Sequence, residues 1–135
     1  MTRFILLTLC VLLMTSNAWA EWTQSGENEG GILTHYVDRG TIRRAGHLTK
    51  MWVLQNFAAL QAAGANGKSF RSSKSQMEFN CREEKHRTLA LYWYSGLMGK
   101  GDIVAADTDA GKWARNIPDS VQTTWWAIAC KSKKK

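Results

Sequence analysis

Hydrophobic and polar positions alternate most regularly between Gln76 and Arg82. Met77, Phe79 and Cys81 share one side there, and Gln76, Glu78, Asn80 and Arg82 share the other. A period of two predicts a half-buried β-strand. Arg87 to Tyr94 alternates in the same way, with Leu89, Leu91 and Trp93 on one side. The short charged stretch Glu83–Lys85 between the two segments predicts an antiparallel hairpin. Upstream, Ile32–Val37 is rich in β-formers, and Asp38-Arg39-Gly40 reads as a turn. A short segment, Thr41–Arg44, leads to a second turn at Ala45-Gly46. His47–Phe57 holds the apolar run Met51–Leu54, which suits a central strand covered on both faces. Ala58–Ser69 is rich in Ala and Gly and reads as a loop. Ile103–Ala106 reads as a further strand, followed by a turn at Asp107–Gly111.

The period changes near the C-terminus. Val121, Trp125, Ile128 and Ala129 recur at helical spacing and form an apolar stripe. Pro118-Asp119 marks the helix start, with Asp119 as the expected cap and Gln122 completing a capping box. The expected fold is therefore α+β: a meander of antiparallel strands closed by one packed C-terminal helix.

The N-terminus carries a different signal. Arg3 precedes the apolar run Phe4–Met14, and Ala18-Trp19-Ala20 has the small-x-small pattern that signal peptidase reads. About eleven apolar residues are too few to span ~30 Å of hydrocarbon as a helix. Residues 1–20 are thus expected to be a cleaved signal peptide. The domain would then run over 21–130, with a lysine-rich tail at 131–135. Cys10 follows Leu9, where lipid attachment requires a small residue, so a lipid anchor is disfavoured. No later stretch is long enough to cross a membrane as a helix.

Export changes how the cysteines read. Loss of Cys10 leaves Cys81 and Cys130, which in an oxidising compartment most simply form one disulfide. The closed loop of ~50 residues corresponds to about 4 kcal/mol in the chain-entropy model. The competing reading is a Cys81 thiolate working with His86, but five residues along a strand put those side chains on opposite faces.

Charge narrows the partners. The chain of 135 residues has 18 Lys and Arg against 11 Asp and Glu, a net +7. Arg3 leaves with the signal. The segment Glu21–Gly30 is acidic, the tail is basic, and most of the remaining cations fall between Arg39 and Arg87. This uneven distribution and the export signal argue against nucleic acid as a partner. Arg39, Arg43, Arg44, Lys131, Lys133, Lys134 and Lys135 are the candidate binding cations, with simple solubilisation as the competing reading. A free C-terminal Lys135 would also offer the ammonium–carboxylate pair that lysine-binding kringle domains recognise.

Seven Trp is high for this length. Trp52, Trp93 and Trp125 lie in apolar contexts and are assigned to the core. Trp22 and Trp113 lie beside polar or Gly-rich segments and are candidate contact residues. Catalytic signatures are missing: no G-x-S-x-G, H-E-x-x-H, P-loop or dinucleotide fingerprint occurs. His35, His47 and His86 follow no short metal-ligand spacing. A pocket grouping two of them with Asp38 or Asp102 would be needed to revive an enzyme. No cofactor and no metal is expected.

Several dispersed elements together resemble the surface-adhesin protein E family of Gram-negative bacteria. They are Tyr36-Val37-Asp38, Thr41-Ile42-Arg43-Arg44, Met51-Trp52, and Ser72-Ser73-Lys74 before the strand ending at Cys81. Tyr94-Ser95, Gly101, Trp113, Ile117-Pro118 and the helix ending at Cys130 follow in order. The resemblance runs from Trp22 to Cys130. It implies an antiparallel sheet with a packed C-terminal helix, and a non-enzymatic adhesin binding host matrix or serum proteins. The alternatives are a periplasmic housekeeping protein and an electrostatic binder of anionic envelope polymers. Residence in the periplasm or on the cell surface, and homodimerisation, are left open.

Overall fold

The computed structural model describes residues 20–63 and 67–131. Residues 1–19 of the expected signal peptide (1–20) and Lys133, Lys134 and Lys135 lie outside the described residues. Strands β1 (Thr23–Glu27), β2 (Leu33–Ala45), β3 (Leu48–Ala63), β4 (Lys68–Asn80), β5 (Lys85–Tyr94) and β6 (Ile103–Asp107) form one antiparallel meander in chain order. The two-residue strand β7 (Ala114–Arg115) pairs with β5 beside β6, and helix α1 (Val121–Lys131) follows. This is the α+β arrangement that the residue pattern predicts.

Alternation and register give each sheet face its residues. Val37, Val53, Ser75 and Leu91 lie in one cross-strand row, and Tyr36, Leu54, Lys74 and Tyr92 lie in the next. The first row faces α1. Val37, Met51, Val53, Met77 and Phe79 are buried there with Trp125 and Ala129 of the helix. Val121 and Ile128 pack around this cluster, so the helical stripe seats as its spacing requires.

Polar bonds fix the helix on the sheet. Cys81 and Cys130 form a disulfide with a Cα–Cα distance of 5.4 Å. The indole of Trp126 donates to the Asn80 carbonyl at 2.8 Å, and that of Trp125 donates to Ser25 Oγ at 3.2 Å. Arg44 donates to the Cys130 carbonyl, one of the carbonyls a helix end leaves without an intrahelical partner.

Four expectations are corrected. The turn expected at Asp38-Arg39-Gly40 does not reverse the chain. β2 continues through it with a register shift between Asp38 and Arg43. The loop expected over Ala58–Ser69 is largely strand: β3 and β4 form a long hairpin in which Gln61, Ala62 and Ala63 pair with Phe70, Ser69 and Lys68. Ladder hydrogen bonds extended from the inner sheet outweigh the weak strand preference of Ala. β5 carries an irregularity opposite Gln76/Met77, which interrupts the regular alternation of Leu89 with Leu91 and Trp93. The helix cap is Ser120, not Asp119. Thr123 N donates to Ser120 Oγ at 3.3 Å, while Asp119 takes a left-handed φ of 62° in the turn after Pro118.

Candidate functional site

The face of the sheet turned away from α1 carries a cleft of about 460 Å³. It begins at the β2 irregularity. Gly40 N donates to Asp38 Oδ1 at 3.0 Å, a short local loop that holds the Asp38 carboxylate at 6% exposure. The Thr41 hydroxyl donates to the Asp38 carbonyl at 2.6 Å and accepts from Trp52 N at 3.0 Å. One hydroxyl thus closes the gap in the ladder and sets the backbone of both Asp38 and Trp52.

Trp52 on β3 and Tyr92 on β5 stack across β4, with ring centroids 6.3 Å apart and planes inclined by 29°. Lys74 lies on β4, and its Nζ is 5.0 Å from the Tyr94 ring centroid and 5.8 Å from that of Trp22. Both distances fall within cation–π range. Leu54, paired with Lys74, lies on the same side of the sheet and is fully buried outside the helix-side cluster. Burial raises the Tyr94 pKa above its ordinary value, and neighbouring Tyr92 adds to the shift. The phenol therefore keeps its proton at neutral pH and can donate.

The loop after β5 frames the cleft. Its 3-10 turn, Leu97–Gly99, folds back over β3 and β4. Ser72 Oγ donates to the Gly96 carbonyl at 2.6 Å and accepts from Gly99 N at 2.8 Å. Asn56 Oδ1 accepts from Met98 N at 2.8 Å. These bonds settle Met98 at a φ of 57° and bring Gly99 against the stem of Lys74.

A smaller cleft of about 220 Å³ lies under α1, between Gln122 and Trp125 on one side and Gln55, Ser73 and Ser75 on the other. His35, 4% exposed, stands beside it. Its Nε2 meets Asn28 Oδ1 at 3.1 Å and its Nδ1 meets Gln55 Nε2 at 3.1 Å. These partners select a neutral ring that donates from Nε2 and accepts at Nδ1. Its edge packs on Trp125 at 5.7 Å, and desolvation lowers its pKa below 6.5. His86 pairs with Asn116 Oδ1 at 2.8 Å, and His47 lies exposed in the β2–β3 turn. No group of three His, Cys, Asp or Glu among the described residues is placed to hold a metal. Both sulfurs of Cys81 and Cys130 are bonded to each other, which removes the Cys81 nucleophile.

The basic residues singled out from the sequence divide by role. Arg39 is exposed. Arg43 is exposed and pairs across the ladder with Lys50, its guanidinium turned back onto the Gly40 and Ile42 carbonyls. Arg44 ties β2 to the end of α1 and so stands near Lys131, whose chain neighbour Cys130 it bonds. Arg82, next to Cys81, adjoins the same end, where Cys81 N donates to the His47 carbonyl at 2.8 Å.

Two Trp assignments change. Trp125 is core at 3% exposure, but Trp52 and Trp93 are only half-buried. Trp52 belongs to the cleft, and Trp93 packs edge-to-face on Phe70 at 6.3 Å. Trp113 is 37% exposed and lies over the Arg87 guanidinium at 4.7 Å. Trp22 does line the cleft.

The surface-adhesin protein E family model matches residues 22–131, which includes every strand and the helix described above. The chain belongs to that family. Solved structures of Haemophilus influenzae protein E share its fold. Crystal form II aligns with a TM-score of 0.65 at 13% identity, covering 85% of this chain and 91% of that one. A second structure aligns at 0.59 with 17% identity, covering 72% and 76%. The protein from a non-typeable strain aligns at 0.61 with 14% identity, covering 86% and 79%. No curated protein matches the sequence. Membership in the protein E family supports an adhesin-like role, and no described helix is long and apolar enough to cross a membrane.

Proposed function

We propose that this chain is an exported, non-enzymatic adhesin that engages host matrix or serum proteins through the cationic end of its sheet. The observation that carries the reading is the bond from Arg44 to the Cys130 carbonyl. It joins two basic segments that are far apart in sequence: the β2–β3 hairpin with Arg43 and Lys50, and the end of α1 with Lys131. Clustered like charges on a single end suit an acidic surface on a partner and speed encounter with it. Removal of residues 1–20 on export belongs to the same reading.

The test is binding of the purified protein to immobilised host matrix and serum proteins at increasing salt. The expected result is binding that weakens between low salt and ~0.15 M, as exposed charges are screened. Joint reversal at Arg43, Lys50 and Lys131 to Glu should weaken it about tenfold or more. Arg44 is left in place because it anchors the helix. Failure to bind any host protein, or binding indifferent to the reversal, overturns the reading. Protease shaving of intact cells tests surface exposure separately.

A further inference from the structure

We propose that the cleft on the open face of the sheet is a binding site for a neutral saccharide, with Trp52 and Tyr92 as its stacking platform. The proposal uses none of the cationic-end residues, so it stands or falls apart from the adhesion reading.

The geometry of the rings is the first argument. Aromatic pairs on the packed side of this protein meet edge-on: Phe57 and Phe70 at 88°, His35 and Trp125 at 79°. Such T-shaped contacts interlock side chains. Trp52 and Tyr92 are inclined by only 29°, are both half-buried and both line the cleft. This near-parallel pair presents apolar ring surface to the cleft. A pyranose ring has a matching flat side of C–H groups.

Charge is the second argument and selects among ligands. The Lys74 ammonium already occupies the cation position between Tyr94 and Trp22. A quaternary ammonium or methylated lysine would therefore meet a like charge. Asp38 supplies the opposite sign in the same cleft, which disfavours a carboxylate or phosphate ligand. What remains is a ligand without net charge that both donates and accepts hydrogen bonds. The ammonium of Lys74 and the phenol of Tyr94 can donate. Asp38 uses Oδ1 for Gly40 and has a second oxygen to accept. A saccharide carries apolar faces and hydroxyl edges together and satisfies both halves of this description.

Size and access agree. With Ala20 as one of its walls the cleft measures about 460 Å³, within the roughly 300–1,000 Å³ usual for small-molecule sites, and the loss of Ala20 on export would open it further. Ile103, 55% exposed, lines an outer wall of the cleft, so a longer chain can extend past the bound unit.

The experiment is a titration of the purified protein with maltose, cellobiose, lactose and N,N′-diacetylchitobiose, read by the indole N–H signals in two-dimensional NMR. A glycan array widens the search. The expected result is saturable movement of the Trp22 and Trp52 signals by at least one sugar. Trp125 and Trp126, whose indoles are bonded within the fold, should stay still. Trp52→Ala should weaken binding about tenfold. Lys74→Met gives the same reading should Trp52→Ala fail to fold. Asp38→Asn keeps the Gly40 bond and should weaken binding less. Choline and benzoate serve as cationic and anionic controls. The proposal is overturned if no sugar and no arrayed glycan binds, if either control binds more tightly than every sugar, or if Trp52→Ala and Lys74→Met leave binding unchanged.

Discussion

Gly99 occupies a position where any side chain would overlap Lys74 Cε. Its φ of 65° is also one that other residues adopt only at a cost. One glycine thus sets the path of the cation that sits over Tyr94 and Trp22.

Gly99→Ala is expected to act in two ways. The left-handed backbone costs roughly 1–2 kcal/mol, which urea unfolding would register. The added methyl also drives Lys74 off the rings. The displacement is separable from the backbone strain: in a Lys74→Ala background, Gly99→Ala should cost measurably less. Equal costs in the two backgrounds would show that the Lys74 contact contributes nothing.

Stability should fall below neutral pH because of His35. Burial favours its neutral form, so its folded pKa lies below the ordinary 6.5. The three groups that touch its ring, Asn28, Gln55 and Trp125, carry no charge to offset protonation. The stabilisation is complete above pH 6.5 and is lost as the pH falls from there through the folded value. Urea midpoints measured from about pH 8 to about pH 5 should decline. His35→Gln should flatten that decline, and an unchanged slope would assign it to other groups.

Glu78 is 5% exposed, and Arg87 reaches it with Nε at 2.8 Å and Nη2 at 2.6 Å, beneath the Trp113 ring. Removing one partner of such a pair strands a buried charge. Arg87→Ala should cost about 3 kcal/mol, measured by denaturant unfolding near pH 7. The double variant Glu78→Gln/Arg87→Met should be markedly more stable than Arg87→Ala alone. A double variant no better than the single would mean that Glu78 finds another partner or water.

The start of α1 offers a paired test. Ser120→Ala removes the side-chain acceptor for Thr123 N and should cost about 1 kcal/mol. Asp119→Gly relieves a left-handed φ of 62° and should leave stability unchanged or slightly raised. Thermal melts of the two variants should therefore move unequally, with Ser120→Ala lower. The reverse order would restore Asp119 as the cap.

Much of the fold is legible in local pattern. Gln76–Arg82 alternates because one face of β4 packs under α1, and Met77 and Phe79 are buried as that alternation requires. The helical stripe Val121, Trp125, Ile128 and Ala129 is equally plain. The cleft is far less visible. Its members come from β2, β3, β4, β5 and β6 and from the segment before β1, and no two of the principal rings are chain neighbours. Trp52 sits within the apolar run Met51–Leu54, so its context reads as core. Only the register shows that Trp52 and Leu54 face away from the helix while Met51 and Val53 face towards it.

Periodicity, cysteine number and turn chemistry by themselves determined the meander, the C-terminal helix and the Cys81–Cys130 link. Each of these depends on residues close in sequence or on the only two cysteines after residue 20. Tertiary structure alone decided the irregularity at Asp38–Arg43, the long β3–β4 hairpin and the return of the Leu97–Gly99 turn onto Lys74. Ladder hydrogen bonds and bonds from Thr41, Ser72 and Asn56 to distant backbone set these features. Such bonds join segments whose separation along the chain leaves no local signal.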